Sequence, residues 1–234
     1  MKRILEICCD SLESAILAQS AGANRIELCE DLSAGGVTPS SAKIMLLKKY
    51  LDIPVMVLIR PRPGDFVYNK WEKETILENI SMAKQLGVDG IVAGALNEDT
   101  SIDHDFTKVM IAATEPLPFV FHKAFDICKN DLDALSLLVG LGVKRLLTSG
   151  QKKTALEGKG NIARYLEQFG HEIEIMAGGG IRPNNLGELK KIPGLYHLHS
   201  AAKIWNKSVF QEGEKWLKVD IEQVKQMRKI LDQP

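Results

Sequence analysis

The chain has no excess of charge of either sign, since 30 lysines and arginines balance 30 aspartates and glutamates. That balance excludes nucleic acid as a default partner, because phosphate backbones are held by basic surfaces. Long apolar runs are also missing, and none approaches the length of a membrane span. Acid appears as early as Glu6, too soon for the apolar stretch of an export signal. Cysteine is scarce: Cys8, Cys9, Cys29 and Cys128 are the four, and no Cys-x-x-Cys spacing suggests a zinc ribbon. Without an export signal they are expected to be reduced thiols in a cytoplasmic protein. No Gly-x-Gly-x-x-Gly follows the first expected strand, where Cys9-Asp10-Ser11 stands instead. A doubly wound dinucleotide-binding sheet would require it.

What is present is a long series of short apolar runs separated by helical stretches. Hydrophobic residues make up 45% of 234 positions, enough for one large core. Strands are expected to begin near Arg3, Arg25, Val55, Gly90, Phe119, Arg145, Ile173 and Tyr196, each followed by a helical segment. Three joints repeat a pattern, at Ala21-Gly22-Ala23, Leu86-Gly87-Val88 and Leu141-Gly142-Val143, where a helix closes on glycine before the next strand. Strands alternating with helices imply a parallel sheet, and eight such units imply a closed (β/α)8 TIM barrel of the α/β class, one domain over residues 1–234. Locally, Asp10 with Glu13 reads as a capping box and Thr38 as the cap before Pro39. The closing helix is expected from Val219 to Leu231.

In such a barrel the carboxyl ends of the strands carry function and the amino ends carry stability. The stretch Pro54 to Tyr68 is the most informative, an apolar run that ends abruptly in Arg60-Pro61-Arg62-Pro63-Gly64-Asp65. Arg60 and Arg62 share a parity, so both are expected to point the same way. They suit a small anionic ligand, or a structural ion pair with Asp65 or Glu27. Glu6, His122 and Asp126 are candidates for moving protons. Ser149, the glycines Gly178 and Gly179, and His199 join Glu27, Arg60, Arg62 and Asp65 as candidate substrate-binding residues. The glycine run could admit a phosphate or merely make a tight corner. His199 shares a barrel seam with the first strand, which brings it near Glu6 or Cys8. Cys8 and Cys29 each follow a glutamate by two residues on adjacent strands, and soft thiolates select Cu(I) or zinc over magnesium. Buried free thiols are the structural alternative. Arg25 and Arg145 open their strands and are assigned to the stabilising end. Two aromatic segments, Phe66 with Tyr68 and Trp71, and Trp205 with Phe210 and Trp216, read as lids or as a homodimer contact.

Taken together these blocks resemble the copper homeostasis protein CutC family. The resemblance is carried by Arg25-Ile26-Glu27-Leu28-Cys29, Gly35-Gly36-Val37-Thr38-Pro39-Ser40, Ile59-Arg60-Pro61-Arg62 with Gly64-Asp65-Phe66, Phe121-His122-Lys123-Ala124-Phe125-Asp126, Leu147-Thr148-Ser149-Gly150 and the glycines at Gly178. It departs at Lys123, where the family usually has arginine, so charge is kept and the bidentate fork is lost. The resemblance implies a cytoplasmic TIM-barrel protein linked by name to copper, with copper itself as the bound ion. It supplies no reaction. Two readings stay open: copper handling through Cys8 and Cys29, and an enzyme acting on a small anionic, phosphorylated or unphosphorylated, substrate.

Overall fold

Side chains alternate across a strand, and in this chain the alternation separates two cores. The computed structural model describes residues 2–207 and 215–233. Strands β1 (Ile4–Cys9), β2 (Arg25–Leu28), β3 (Val55–Leu58), β4 (Gly90–Ala93), β5 (Phe119–Phe121), β6 (Arg145–Thr148), β7 (Glu174–Gly178) and β8 (His197–Ser200) pair in parallel in chain order, and β8 closes onto β1. One parity faces the helices. Leu5, Ile7, Ile26, Leu28, Val55, Val57 and Ile91 are fully buried there with Ala15, Leu47 and Ile80. The other parity fills the barrel interior with a second cluster, Cys8, Cys29, Met56, Leu58, Val92, Val120, Leu147 and Met176. Each fully buried large aliphatic stabilises the fold by about 1.5–3 kcal/mol. Gly90 lies opposite Met56 in the ladder, and a Cβ there would meet Met56 Cε at 2.1 Å.

Around the barrel run α1 (Leu12–Ser20), α2 (Ser41–Tyr50), α3 (Lys70–Gln85), α4 (His104–Thr114), α5 (Asp131–Gly140), α6 (Lys159–Phe169), α7 (Pro183–Leu189) and α8 (Ile221–Asp232). No helix among the described residues is long and apolar enough to cross a membrane. The expected caps move by a residue or two. Ser11, not Asp10, caps α1, its hydroxyl accepting from Ser14 N–H at 3.2 Å. Ser40 caps α2, because Thr38 is engaged elsewhere: its Oγ1 accepts from Arg60 N–H at 2.8 Å and donates to Arg60 O at 3.1 Å. The fifth strand ends at Phe121, and Lys123–Ile127, which include Asp126, turn into a short 3-10 helix.

Between β8 and α8 lies an antiparallel hairpin, β9 (Lys203–Lys207) and β10 (Lys215–Val219), which periodicity did not reveal. Val219 therefore ends a strand, and Asp220 caps α8. Trp205 and Trp216 are half exposed on the hairpin, with Lys215 Nζ 4.7 Å from the centroid of the Trp205 ring. Phe210, part of the expected homodimer contact, lies outside the described residues.

Candidate functional site

The carboxyl ends of the strands surround a pocket of about 150 Å³ lined by Cys8, Glu27, Arg60, Phe66, His122, Lys123 and His199, with Leu58, Leu147 and Ala201 as apolar wall. A larger hollow of about 420 Å³ lies outside the barrel, between the hairpin and Asp10, Glu30 and Asp31. It is a surface groove that none of the barrel's buried polar groups enters, so the smaller pocket is the candidate site.

One wall is a chain of buried polar groups built by strand register. Glu6 on β1 stands opposite Arg25 on β2 and His199 on β8. The Arg25 guanidinium pairs with Glu6 Oε2, and Glu6 Oε1 lies 2.7 Å from His199 Nδ1. The other imidazole nitrogen, Nε2, lies 3.7 Å from Glu27 Oε2. Burial alone would raise Glu6, but Arg25 and then His199 outweigh it and hold the carboxyl far below its usual range. For Glu27 burial wins, and its carboxyl is pushed up despite the facing imidazole. His199 is held above the ordinary imidazole value because Glu27 and Glu6 outweigh its own desolvation. Arg25, assigned from its position to the stabilising end, thus reaches the base of the site by fixing Glu6.

At the end of the same wall, Cys8 Sγ and Cys29 Sγ are 3.6 Å apart. Contact with Cys29, then burial, pushes the Cys8 thiol up. The donor atoms of Cys8, Glu27 and His199 lie within 4.8 Å of one another, a mixed sulfur, oxygen and nitrogen set that could hold a metal ion. All four cysteines are free thiols.

The opposite wall is basic. His122 Nδ1 accepts from Ala124 N–H at 3.3 Å, which assigns the ring hydrogen to Nε2. Among the described residues that buried Nε2–H has no partner. Burial, reinforced by the Arg60 charge, lowers the imidazole to about 3, so the ring is neutral. Gly94 makes room for it, since a Cβ there would meet His122 Nδ1 at 2.7 Å. Arg60 donates from Nη1 to Gly36 O at 2.9 Å and from Nη2 to Gly64 O at 2.7 Å, while its Nε has no partner. Phe66 covers both, its ring 4.8 Å from His122 and 4.9 Å from Arg60 Cζ. Lys123 Nζ donates to Asp126 at 2.5 Å and to Ser149 Oγ at 2.6 Å.

Several expected residues stand elsewhere. Arg62 does not share the pocket with Arg60, because β3 ends at Leu58 and strict alternation does not continue through Pro61. It pairs with Asp65 at 3.0 Å and Glu72 at 2.5 Å and lies beside Tyr68 at the rim. Asp126 does not line the pocket. It accepts from Thr148 Oγ1, Ser149 N–H and Gln151 N–H, so it brackets the loop after β6. Gly178 packs against Leu147 and His199, and Gly179 against Ser149 and Lys123, behind the lining. Tyr68 is buried, whereas Trp71 is 69% exposed and no lid. Sequence reasoning missed Arg25 as a site residue, although its parity with Glu27 carried the signal. It also missed Gly94, whose role depends on where a neighbouring ring turns.

The model of the CutC family matches residues 3–204. The human copper homeostasis protein cutC homolog is 44% identical over 200 residues, 86% of this chain and 73% of the relative. A family protein CutC from Histophilus somni is 44% identical over 204 residues, 87% of this chain and 84% of the relative. The crystal structure of a CutC protein from Streptococcus agalactiae superposes with a TM-score of 0.80 at 34% identity, covering 85% of this chain and 98% of that one. Phosphoribosylanthranilate isomerase from Thermotoga maritima superposes at 0.62 with 13% identity over 99% of this chain and 98% of its own, a likeness of fold alone.

Proposed function

The chain belongs to the CutC family, and from that membership we propose that it handles copper, taking Cu(I) at the paired thiols of Cys8 and Cys29. The observation that carries this reading is the sulfur–sulfur approach of 3.6 Å. Cys8 lines the pocket and the fully buried Cys29 stands beside it, and two such soft donors suit a soft monovalent ion better than magnesium or calcium, which take hard oxygen sets. Glu27 and His199 stand within reach of Cys8 as further donors. Four unpaired thiols also support a reducing, cytoplasmic setting. The test is a Cu(I) titration against a competing colorimetric chelator. Replacing Cys8→Ser together with Cys29→Ser should lower affinity by about a hundredfold or more, since sulfur supplies most of the attraction for Cu(I). Binding that survives both substitutions would remove the thiol site.

A second reading is favoured by Arg60, a buried guanidinium that forms no ion pair among the described residues. In this reading the pocket belongs to an enzyme acting on a small anion. His199, steered by Glu6, and Glu27 would move protons, and His122 would donate a hydrogen bond. Asp126 drops out of the proton-moving set because its oxygens are spent on the loop after β6.

A further inference from the structure

The pocket walls differ in what they lack. On the basic side, Arg60 is 6% exposed and offers five N–H donors, of which two are taken by the carbonyls of Gly36 and Gly64. A cation taken out of water is strongly disfavoured unless it is paired, and among the described residues no carboxylate is within ion-pairing distance of this one. Beside it, His122 is 5% exposed and its Nε2–H has no acceptor among the described residues. The two share one aromatic cover, Phe66, so one group entering beneath that ring would meet both. Lys123 adds a second positive charge to the lining. On the facing side stand Glu27 and His199, a carboxyl and an imidazole that already interact.

We infer that the pocket takes a small hydroxy or oxo carboxylic acid, with its carboxylate received by Arg60, His122 Nε2–H and Lys123 and its hydroxyl or carbonyl oxygen met by Glu27 and His199. The inference narrows the second reading above and rests on it. Three observations favour this class over a phosphate ester. The volume of about 150 Å³ corresponds to roughly five waters at ~30 Å³ each, the bulk of a two- or three-carbon acid. Arg60 and Lys123 stand on the side of His122 while the Glu27 carboxyl faces them, so a monoanion with charge at one end matches, whereas a dianion would also confront Glu27. The Gly178–Gly180 turn, which in this fold would cradle a phosphate, lies behind the lining and does not enter the pocket.

The experiment follows the side-chain nitrogens of the histidine-labelled parent protein by NMR while glycolate, pyruvate, acetate or inorganic phosphate is added. Glycolate or pyruvate should move the His122 Nε2 resonance and bind about tenfold or more tightly than acetate, the worth of one further hydrogen bond to a charged group. His122→Phe, which keeps an aromatic ring of similar shape, and Lys123→Ala should each weaken that binding by about tenfold. The parent titration needs no variant, so a substitution that fails to fold leaves the result intact. Should phosphate move the resonance and the acids not, this inference is overturned while the anionic reading stands. Should acetate bind as well as glycolate and pyruvate, the hydroxy or oxo requirement is overturned. Should none of the four move it at tens of millimolar, both the inference and the anionic reading fall.

Discussion

The barrel buries arginines at both ends of its interior, two at the amino end and one at the carboxyl end, and treats the ends differently. At the amino end, Arg25 and Arg145 open β2 and β6, and each has a carboxylate partner from the neighbouring strand, Glu6 and Glu174. At the carboxyl end, Arg60 follows β3 and is held by the carbonyls of Gly36 and Gly64 beneath the Phe66 ring. All three side chains are buried to a similar degree. The contrast therefore lies in pairing, and a buried charge without its counter-ion is the costlier state. The amino end gives each of its charges a carboxylate within the protein, although Arg145 Nε and Nη1 find no acceptor among the described residues. The carboxyl end leaves Arg60 without a carboxylate partner among the described residues.

Breaking a closed pair gives the largest effect. Glu6→Gln leaves Arg25 buried without its carboxylate and replaces one of the two oxygens shared with Arg25 and His199 by an amide NH2 that cannot accept. The expected cost is about 3–5 kcal/mol, read from urea unfolding at neutral pH. Arg60→Met removes no ion pair, only two charge-assisted bonds to backbone carbonyls, and should cost about 1–3 kcal/mol, partly regained from apolar packing under Phe66. Equal losses for the two variants would erase the distinction between the ends.

A middle-sized effect tests the claim that the carboxyl-end donor is neutral. His122 titrates near 6.5 when unfolded and is lowered to about 3 in the fold by burial and by Arg60. Below 6.5 the unfolded chain takes up a proton that the folded chain refuses, so stability falls as pH drops toward 3. Over the window from about pH 7.5 to pH 5 this amounts to about 2 kcal/mol. His199 works in the opposite sense, since its raised value adds stability that is complete below 6.5 and lost as pH rises through the folded value. It contributes in parent and variant alike, so the difference between them isolates His122. Stability measured across that window should fall more steeply for the parent than for His122→Phe by about this amount. Parallel slopes would mean that the ring is charged in the fold.

The same contrast explains what could be read in the sequence. The barrel was legible because burial on both faces of parallel strands writes itself as short apolar runs, and glycine caps mark the helix ends before β2, β4 and β6. Strand beginnings were read to within about a residue, from Ile4 to His197. Parity also placed His199 beside Glu6 and Cys8 beside Cys29, because these residues lie within or immediately after paired strands. It failed where the strand had already stopped. Arg60 and Arg62 lie beyond Leu58, and Asp126 lies in a 3-10 turn whose start is fixed by His122 accepting from Ala124 N–H. Side-chain direction there is set by prolines and local hydrogen bonds, which period-2 reasoning does not contain. The β9–β10 hairpin was missed because β9 buries no side chain and β10 buries only Leu217 and Val219, too few to write a period-2 pattern.

The smallest expected effect comes from Arg62, which the sequence placed beside Arg60 as an anion ligand. In the fold it is 36% exposed and linked to Asp65, itself largely exposed, and to Glu72. Exposed pairs of this kind are each worth about 0–1 kcal/mol, because solvent screens them and ordering long side chains opposes them. Its guanidinium also donates to Val67 O at 2.9 Å, and Tyr68 lies beside it, so it fastens the rim of the loop and does not reach into the pocket. Arg62→Ala should therefore cost about 1 kcal/mol of stability and leave both Cu(I) and glycolate titrations within about twofold of the parent. The matching change at Lys123, inside the lining, should weaken glycolate and leave stability less affected, since its partners Asp126 and Ser149 still hold each other at 2.8 Å. A loss of ligand binding in Arg62→Ala as large as that in Lys123→Ala would mean that the rim loop closes inward when a ligand binds. The boundary drawn between the satisfied rim arginine and the unsatisfied interior one would then have to move outward to include it.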